Sequence, residues 1–215
     1  MPRKSFEGAA AYLPKVLTLT SLRSAAKGCH GCDLYKDATQ TVFGAGPQRA
    51  QIMFVGEQPG NDEDLQGAPF VGPAGRMFDK ALEEAGIARE ATYVTNAVKH
   101  FKFEPRGKKR IHKRPNTTEI VACRPWLEAE LKLVKPRALM CLGATAAQAL
   151  LGKSFRVTEE RGQRVASELA PVVMATVHPS SLLRAPSAED REREYKQFVA
   201  DLRALARAIA NKQSA

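Results

Sequence analysis

The sequence predicts a three-layer α/β/α domain on a central four-stranded parallel sheet, and three observations carry that expectation. Four short apolar runs rich in β-branched residues recur along the chain, and helical patterns fall between them. The 215 residues, 44% of them apolar, suffice to enclose one core. Strands that alternate with helices pair in parallel and are covered on both faces. One domain over residues 1–215 is expected, with an N-terminal segment around 1–45 tethered by a metal and a basic loop inserted around 105–115.

The predicted strands are Gln51–Val55, Tyr93–Thr95, Ala138–Leu142 and Val172–Val177. Between the first two, Ala74–Ala85 carries Met77, Phe78, Ala81 and Leu82 on one helical face and stops at Gly86. Asn116–Val134 opens with Asn116 and Glu119 at capping-box spacing and ends before Pro136. Pro125 should kink or divide that helix, because it supplies no N–H. Ala144–Leu151 is a short helix ending at Gly152. The last helix opens at Ser187-x-x-Asp190, and its stripe from Tyr195 to Ile209 reads as core packing.

Ligands of open parallel sheets bind beyond the carboxyl ends of the strands. The residues following each strand are therefore the candidates. They are Gly56-Glu57-Gln58-Pro59-Gly60, then Asn96, then Gly143-Ala144, then His178-Pro179-Ser180-Ser181-Leu182-Leu183-Arg184. The first segment lacks the Gly-Lys-Ser/Thr ending of a phosphate-binding loop. In the last, hydroxyls and backbone amides can hold phosphates, and Leu182-Leu183 can fill a gap in a base stack.

Charge points to a polyanionic partner. The chain has 33 Lys and Arg against 23 Asp and Glu, a net +10. Eight of the basic residues, with the single acid Glu104, fall between Lys99 and Arg114. A solvated face would account for such a run, but Phe101, Phe103 and Ile111 interleave with it as in a loop laid against nucleic acid. Pro105, Gly107 and Pro115 leave no long amphipathic helix for a membrane surface. The basic stretch Met1-Pro2-Arg3-Lys4-Ser5 leads into no apolar segment, so a cytoplasmic, nucleoid-associated protein is expected.

Together with Pro69-Phe70-Val71-Gly72-Pro73-Ala74-Gly75 and Thr95-Asn96-Ala97-Val98-Lys99, these segments resemble the uracil-DNA glycosylase superfamily. The resemblance is to its iron–sulfur branch near family 4, and it runs from about Cys29 to Arg184. It implies that the nucleotide is flipped from the helix into a pocket. Phe70 would stack on the uracil, Asn96 would pair with its edge, and Gly60 and Asn61 would complete the base site. His178 would hydrogen-bond the uracil oxygen that gains charge, and Glu57 would stabilise the cationic sugar or accept a proton.

Two features depart from family 4, namely Gln58, where a small residue is usual, and the insertion around Gly107–Lys113. Gln58 with a Lys/Arg-Ile-His loop resembles UdgX, a branch that becomes covalently attached to uracil-containing DNA. The resemblance makes His112, in Lys108-Lys109-Arg110-Ile111-His112, the nucleophile that captures C1′ when uracil departs, with Gln58 orienting it. Lys108, Lys109, Arg110, Ser180, Ser181 and Arg184 are the expected DNA-backbone contacts. A turnover glycosylase releasing an abasic site and a non-catalytic DNA-binding module are the alternatives.

Cys29-His30-Gly31-Cys32 suits two ligands of one metal centre, and Cys123 suits a third. Cys141 lies in an apolar strand and reads as core. The resemblance places the fourth ligand after Asn-x-Val-Lys, at His100, and implies a [4Fe-4S] cluster, although three Cys and one His also suit zinc. The expected partner is uracil-containing DNA, single-stranded with double-stranded a further possibility. One DNA-binding rim needs only a monomer.

Overall fold

The computed structural model describes residues 6–210, so the basic Met1–Ser5 stretch lies outside the described residues. The sheet consists of β1 (Ile52–Gly56), β2 (Thr92–Asn96), β5 (Ala138–Leu142) and β6 (Val172–Thr176), in the order β2-β1-β5-β6 with every pair parallel. All four predicted strands are present within a residue or two of their expected ends.

Alternation along the strands sends side chains to two cores. Met53, Val55, Leu139, Cys141, Val173 and Ala175 pack with Leu127 and Leu131 of α4 (Thr117–Val134) and with Ala146 and Ala147 of α5 (Ala144–Leu151). Phe54, Met140, Leu142, Val172 and Met174 pack on the other face against α3 (Pro73–Glu84) and α8 (Ala188–Ala210), through Phe78, Leu82, Phe198 and Leu202. This is the expected three-layer α/β/α arrangement.

The predicted caps hold. Asn116 accepts from the Glu119 N–H at 2.9 Å, and Glu119 Oε2 accepts from the Asn116 N–H at 2.7 Å. Pro125 does not divide α4, which runs unbroken. The residue four positions before it, Val121, is 60% exposed, so water can meet the carbonyl that proline leaves free. The basic segment expected as a loop around 105–115 is instead an antiparallel hairpin of β3 (Phe103–Arg106) and β4 (Lys109–His112), turned at Gly107 with φ 57°. Positive φ suits a glycine at the first central position of a two-residue hairpin turn.

Smaller elements complete the rim and the N-terminal side: α1 (Leu19–Ala26), α2 (Asn61–Gln66), α6 (Val157–Glu160) and α7 (Pro179–Leu183). A third apolar cluster joins the N-terminal segment to α4 through Leu22, Phe43, Trp126 and three of the cysteines. The chain leaves β1 for β2 on one side and, after α4, enters β5 on the other. The crevice between the ends of β1 and β5 is therefore the topological switch point, where such sheets bind ligands. Among the described residues no helix is long and apolar enough to cross a membrane.

Candidate active site

A cavity of about 610 Å³ opens at that switch point. Its lining includes Glu57, Gln58, Gly60, Phe70, Asn96, His112, His178, Ser180 and Arg184. Gly56 makes room for it, because a Cβ there would stand 2.4 Å from Asn96 Oδ1 and 2.8 Å from Phe70 Cζ. Only hydrogen lets the Asn96 amide and the Phe70 ring approach the strand end together. Phe70 has φ 58°, a conformation rare for a bulky residue. Glu63 fixes the segments on either side of it, accepting from Gly60 N at 3.0 Å and Gly72 N at 2.8 Å. Glu63 also lines the cavity. Sequence reasoning passed over it, although a Glu three residues after a helix-opening Gly is a capping signal.

His178 is a neutral donor by construction. The Ser180 N–H donates to its Nδ1 at 3.2 Å, which leaves the proton on Nε2. Burial pushes its pKa down to about 4, with His112 and Arg184 nearby acting in the same direction. The ring centroid lies 6.0 Å from that of Phe70. A flat ring resting on Phe70 thus meets a fixed N–H donor and the Asn96 amide.

Asn96 is itself anchored from beneath. Lys99 Nζ donates to the Asn96 carbonyl at 2.7 Å, to Thr95 Oγ1 at 2.6 Å and to Glu130 Oε2 at 2.6 Å. Glu130 also accepts from Gly44 N, Tyr93 Oη and Thr95 Oγ1. Lys99 therefore belongs to a buried, fully bonded network and not to the solvent-facing charge run it appeared to open.

The hairpin delivers His112. Its register pairs His112 with Phe103 and Pro105 with Arg110, which puts Arg110 and His112 on one face. Gln58 braces the stem, its Oε1 accepting from Lys102 N at 3.1 Å. Its Nε2 donates to the carbonyls of Lys102 at 3.1 Å and Lys113 at 3.0 Å, and lies 3.0 Å from His112 Nε2. Gln58 thus stands against His112, while its two N–H groups and its carbonyl clamp the hairpin backbone. Glu57 Oε1 lies 3.5 Å from His112 Nε2, while Glu57 Oε2 accepts from the Thr145 hydroxyl. Burial lowers the His112 pKa against the opposing pull of Glu57, with Arg184 adding to the lowering. A neutral imidazole is the nucleophilic form.

Four expected residues stand elsewhere. Arg110 turns inward, donating to Asp64 at 2.7 Å and Asn61 Oδ1 at 2.9 Å, with its guanidinium 5.0 Å from the Phe103 ring centroid. That geometry commits it to pinning the hairpin, because the buried Asp64 carboxylate binds a cation more strongly than a solvated surface site does. Asn61 faces Arg110 and is not part of the cavity wall. Ser181 donates to the His178 carbonyl at 2.7 Å, and Leu182 is buried in the core, which leaves only Leu183 exposed for a base stack. Lys108 and Lys109 are exposed on the hairpin, as a backbone contact requires.

Cys29, Cys32 and Cys123 share one apolar cluster, whereas Cys141 lies in the core on β5. Each of the three accepts an N–H: Cys29 from Trp126 Nε1 at 3.3 Å, Cys32 from the Leu34 backbone, and Cys123 from Lys99 N at 3.2 Å. Burial pushes the Cys123 thiol up to about 12, opposed by the Lys99 charge and this hydrogen bond, while burial acts unopposed on Cys141. His100 lies 3.0 Å from Thr41 Oγ1 through Nε2, and the Thr41 hydroxyl donates to Ala26 O at 2.8 Å. The hydroxyl therefore accepts from Nε2–H, leaving the Nδ1 lone pair free. Burial holds the His100 pKa down to about 4. Thiols with N–H donors and a neutral imidazole with one lone pair suit an iron–sulfur group. Among the described residues, no three His, Cys, Asp or Glu side chains are gathered in metal-binding geometry.

Comparison with known proteins agrees with this architecture. A family model described as the uracil DNA glycosylase superfamily matches residues 43–203. A type-4 uracil-DNA glycosylase of Archaeoglobus fulgidus is 35% identical over 185 residues, covering 79% of this chain and 86% of that protein. One from Thermotoga maritima is 38% identical over 166 residues, covering 77% and 83%. A type-5 uracil-DNA glycosylase of Pyrobaculum aerophilum is 28% identical over 180 residues, covering 76% of each. The chain belongs to the uracil DNA glycosylase superfamily.

Proposed function

We propose that this protein excises uracil from DNA and captures the deoxyribose on His112, as in the UdgX branch. The observation that carries the reading is His112, held 3.5 Å from the Glu57 carboxylate over the cavity that contains Phe70, Asn96 and His178. The flipped base would stack on Phe70 and pair with Asn96. His178 Nε2–H would donate to the uracil oxygen that becomes negative as the C1′–N1 bond breaks and its electron pair leaves with the base. C1′ then carries oxocarbenium character, and a lone pair of the neutral His112 ring forms the new N–C1′ bond. The proton on the other ring nitrogen passes to Glu57. The resulting neutral alkylimidazole is a poor leaving group, so the protein stays attached.

Lys108, Lys109, Ser180 and Arg184 would hold phosphates along the rim of a monomer bound to uracil-containing DNA. Cys29, Cys32, Cys123 and His100 would hold a [4Fe-4S] cluster, which when bound ties the N-terminal segment to α4 and the hairpin. Purified protein should be brown with absorbance near 400 nm. Colourless protein with stoichiometric zinc would replace the cluster with a zinc site.

The type-4 relatives support a second reading, in which water captures C1′ and an abasic site is released. Incubation with uracil-containing single-stranded DNA, followed by a denaturing gel, separates the two. A shifted protein–DNA band supports capture, whereas an alkali-labile product with unshifted protein supports turnover.

A further inference from the structure

We infer that Thr145 is a positioning residue for Glu57, dividing the carboxylate so that one oxygen is tied back and the other faces His112. The inference rests on the proposed role of His112. Glu57 follows β1 and Thr145 stands in the first turn of α5, after β5, so their hydrogen bond spans the crevice at the switch point. Thr145 is 4% exposed, and its hydroxyl donates to Glu57 Oε2. Oε1 is then the oxygen left 3.5 Å from His112 Nε2.

The tether has a competitor to resist. Arg114 and Arg184 line the same cavity, and a carboxylate free to rotate would turn toward these cations and away from the imidazole. A β-branched side chain has few rotamers, so Thr145 presents its hydroxyl in a fixed direction. Losing that donor would leave Glu57 no longer held where it accepts the ring proton, and free to turn toward the cations.

The test compares Thr145→Val, which removes the hydroxyl at nearly constant volume, with Thr145→Ser, which keeps it. Single-turnover rates of covalent capture and of uracil release are measured from pH 5 to 8 on uracil-containing single-stranded DNA, with thermal unfolding recorded in parallel. Thr145→Val should slow capture by about 10- to 100-fold. Thr145→Ser should restore capture to within about three-fold. Wild-type capture by Thr145→Val, or equal losses in both variants, would overturn the inference. Failure of the underlying reading looks different, because the wild-type chain would then release uracil without forming a covalent band. In that event the same pair of variants tests Thr145 on uracil release, with the same expected order, and equal release rates would overturn its role.

Discussion

Replacing Lys99 by Met should be the most damaging single change outside the cavity. The Lys99 side chain is 1% exposed and that of Glu130 is not exposed at all. The substitution keeps most of the aliphatic stem but deletes three Nζ hydrogen bonds, to Thr95, Asn96 and Glu130. Glu130 would retain its neutral donors from Gly44, Tyr93 and Thr95 while losing the cation it is paired with. Removing one partner of a buried ion pair costs about 3–5 kcal/mol, and for a chain of this length that lowers the midpoint by roughly 6–20 °C. Urea unfolding monitored by circular dichroism measures the loss. The double variant Lys99→Met/Glu130→Gln should recover part of it, because the orphaned charge is gone. A single-variant cost below ~1 kcal/mol, the value of an exposed pair, would refute the reasoning. At temperatures where the variant is folded, uracil release should still fall by about ten-fold or more, because the Asn96 backbone has lost its anchor.

Further predictions concern the rim. Gln58→Ala removes the clamp on Lys102 and Lys113, so capture should slow while the band still forms at long times, and amide exchange in the hairpin should quicken. Substituting Lys108 or Lys109 should flatten the salt dependence of single-strand binding by ~0.7 per lost phosphate contact. Arg110→Ala should instead cost roughly 1.5–3 kcal/mol of stability, since it strips the buried Asp64 of its cation, and should leave the salt slope nearly unchanged. Stability should also depend on pH through His178. Its pKa is pushed from 6.5 to about 4 by burial, so the unfolded chain takes up a proton there first. Stability attributable to this site is therefore complete above pH 6.5 and lost as pH falls toward 4, by about 3 kcal/mol. Urea midpoints at pH 7 and pH 4.5 for the wild type and His178→Asn measure it, the variant showing the smaller difference.

The four strands were legible because their residues are nearly all buried and the runs are therefore largely apolar, and α4 was legible from Asn116 and Glu119. The hairpin was not. Lys, Arg, Glu and Pro carry little strand preference, and Gln58 and the stacking of Arg110 on Phe101 and Phe103 hold the ribbon from outside its own sequence. Arg110 was read as a surface cation because its buried partner, Asp64, lies 46 residues away. The motifs located Glu57, Asn96 and His178 on one rim, since strand ends converge whatever the intervening lengths, while Phe70 was legible only through the family resemblance. Glu63 carried only a capping signal, which does not reveal its second bond to Gly72, and Thr145 carries no local pattern that separates it from an ordinary helix-turn residue. Their roles come from what the folded chain places opposite them.

His112 bears the central claim, and one gel tests it most directly. Wild-type protein and His112→Ser are incubated with uracil-containing single-stranded DNA, boiled in detergent and resolved. Wild-type protein should shift to the mass of a one-to-one adduct, and His112→Ser should release uracil without shifting. A band of equal intensity from His112→Ser, or none from the wild type alongside an abasic product, would contradict the account.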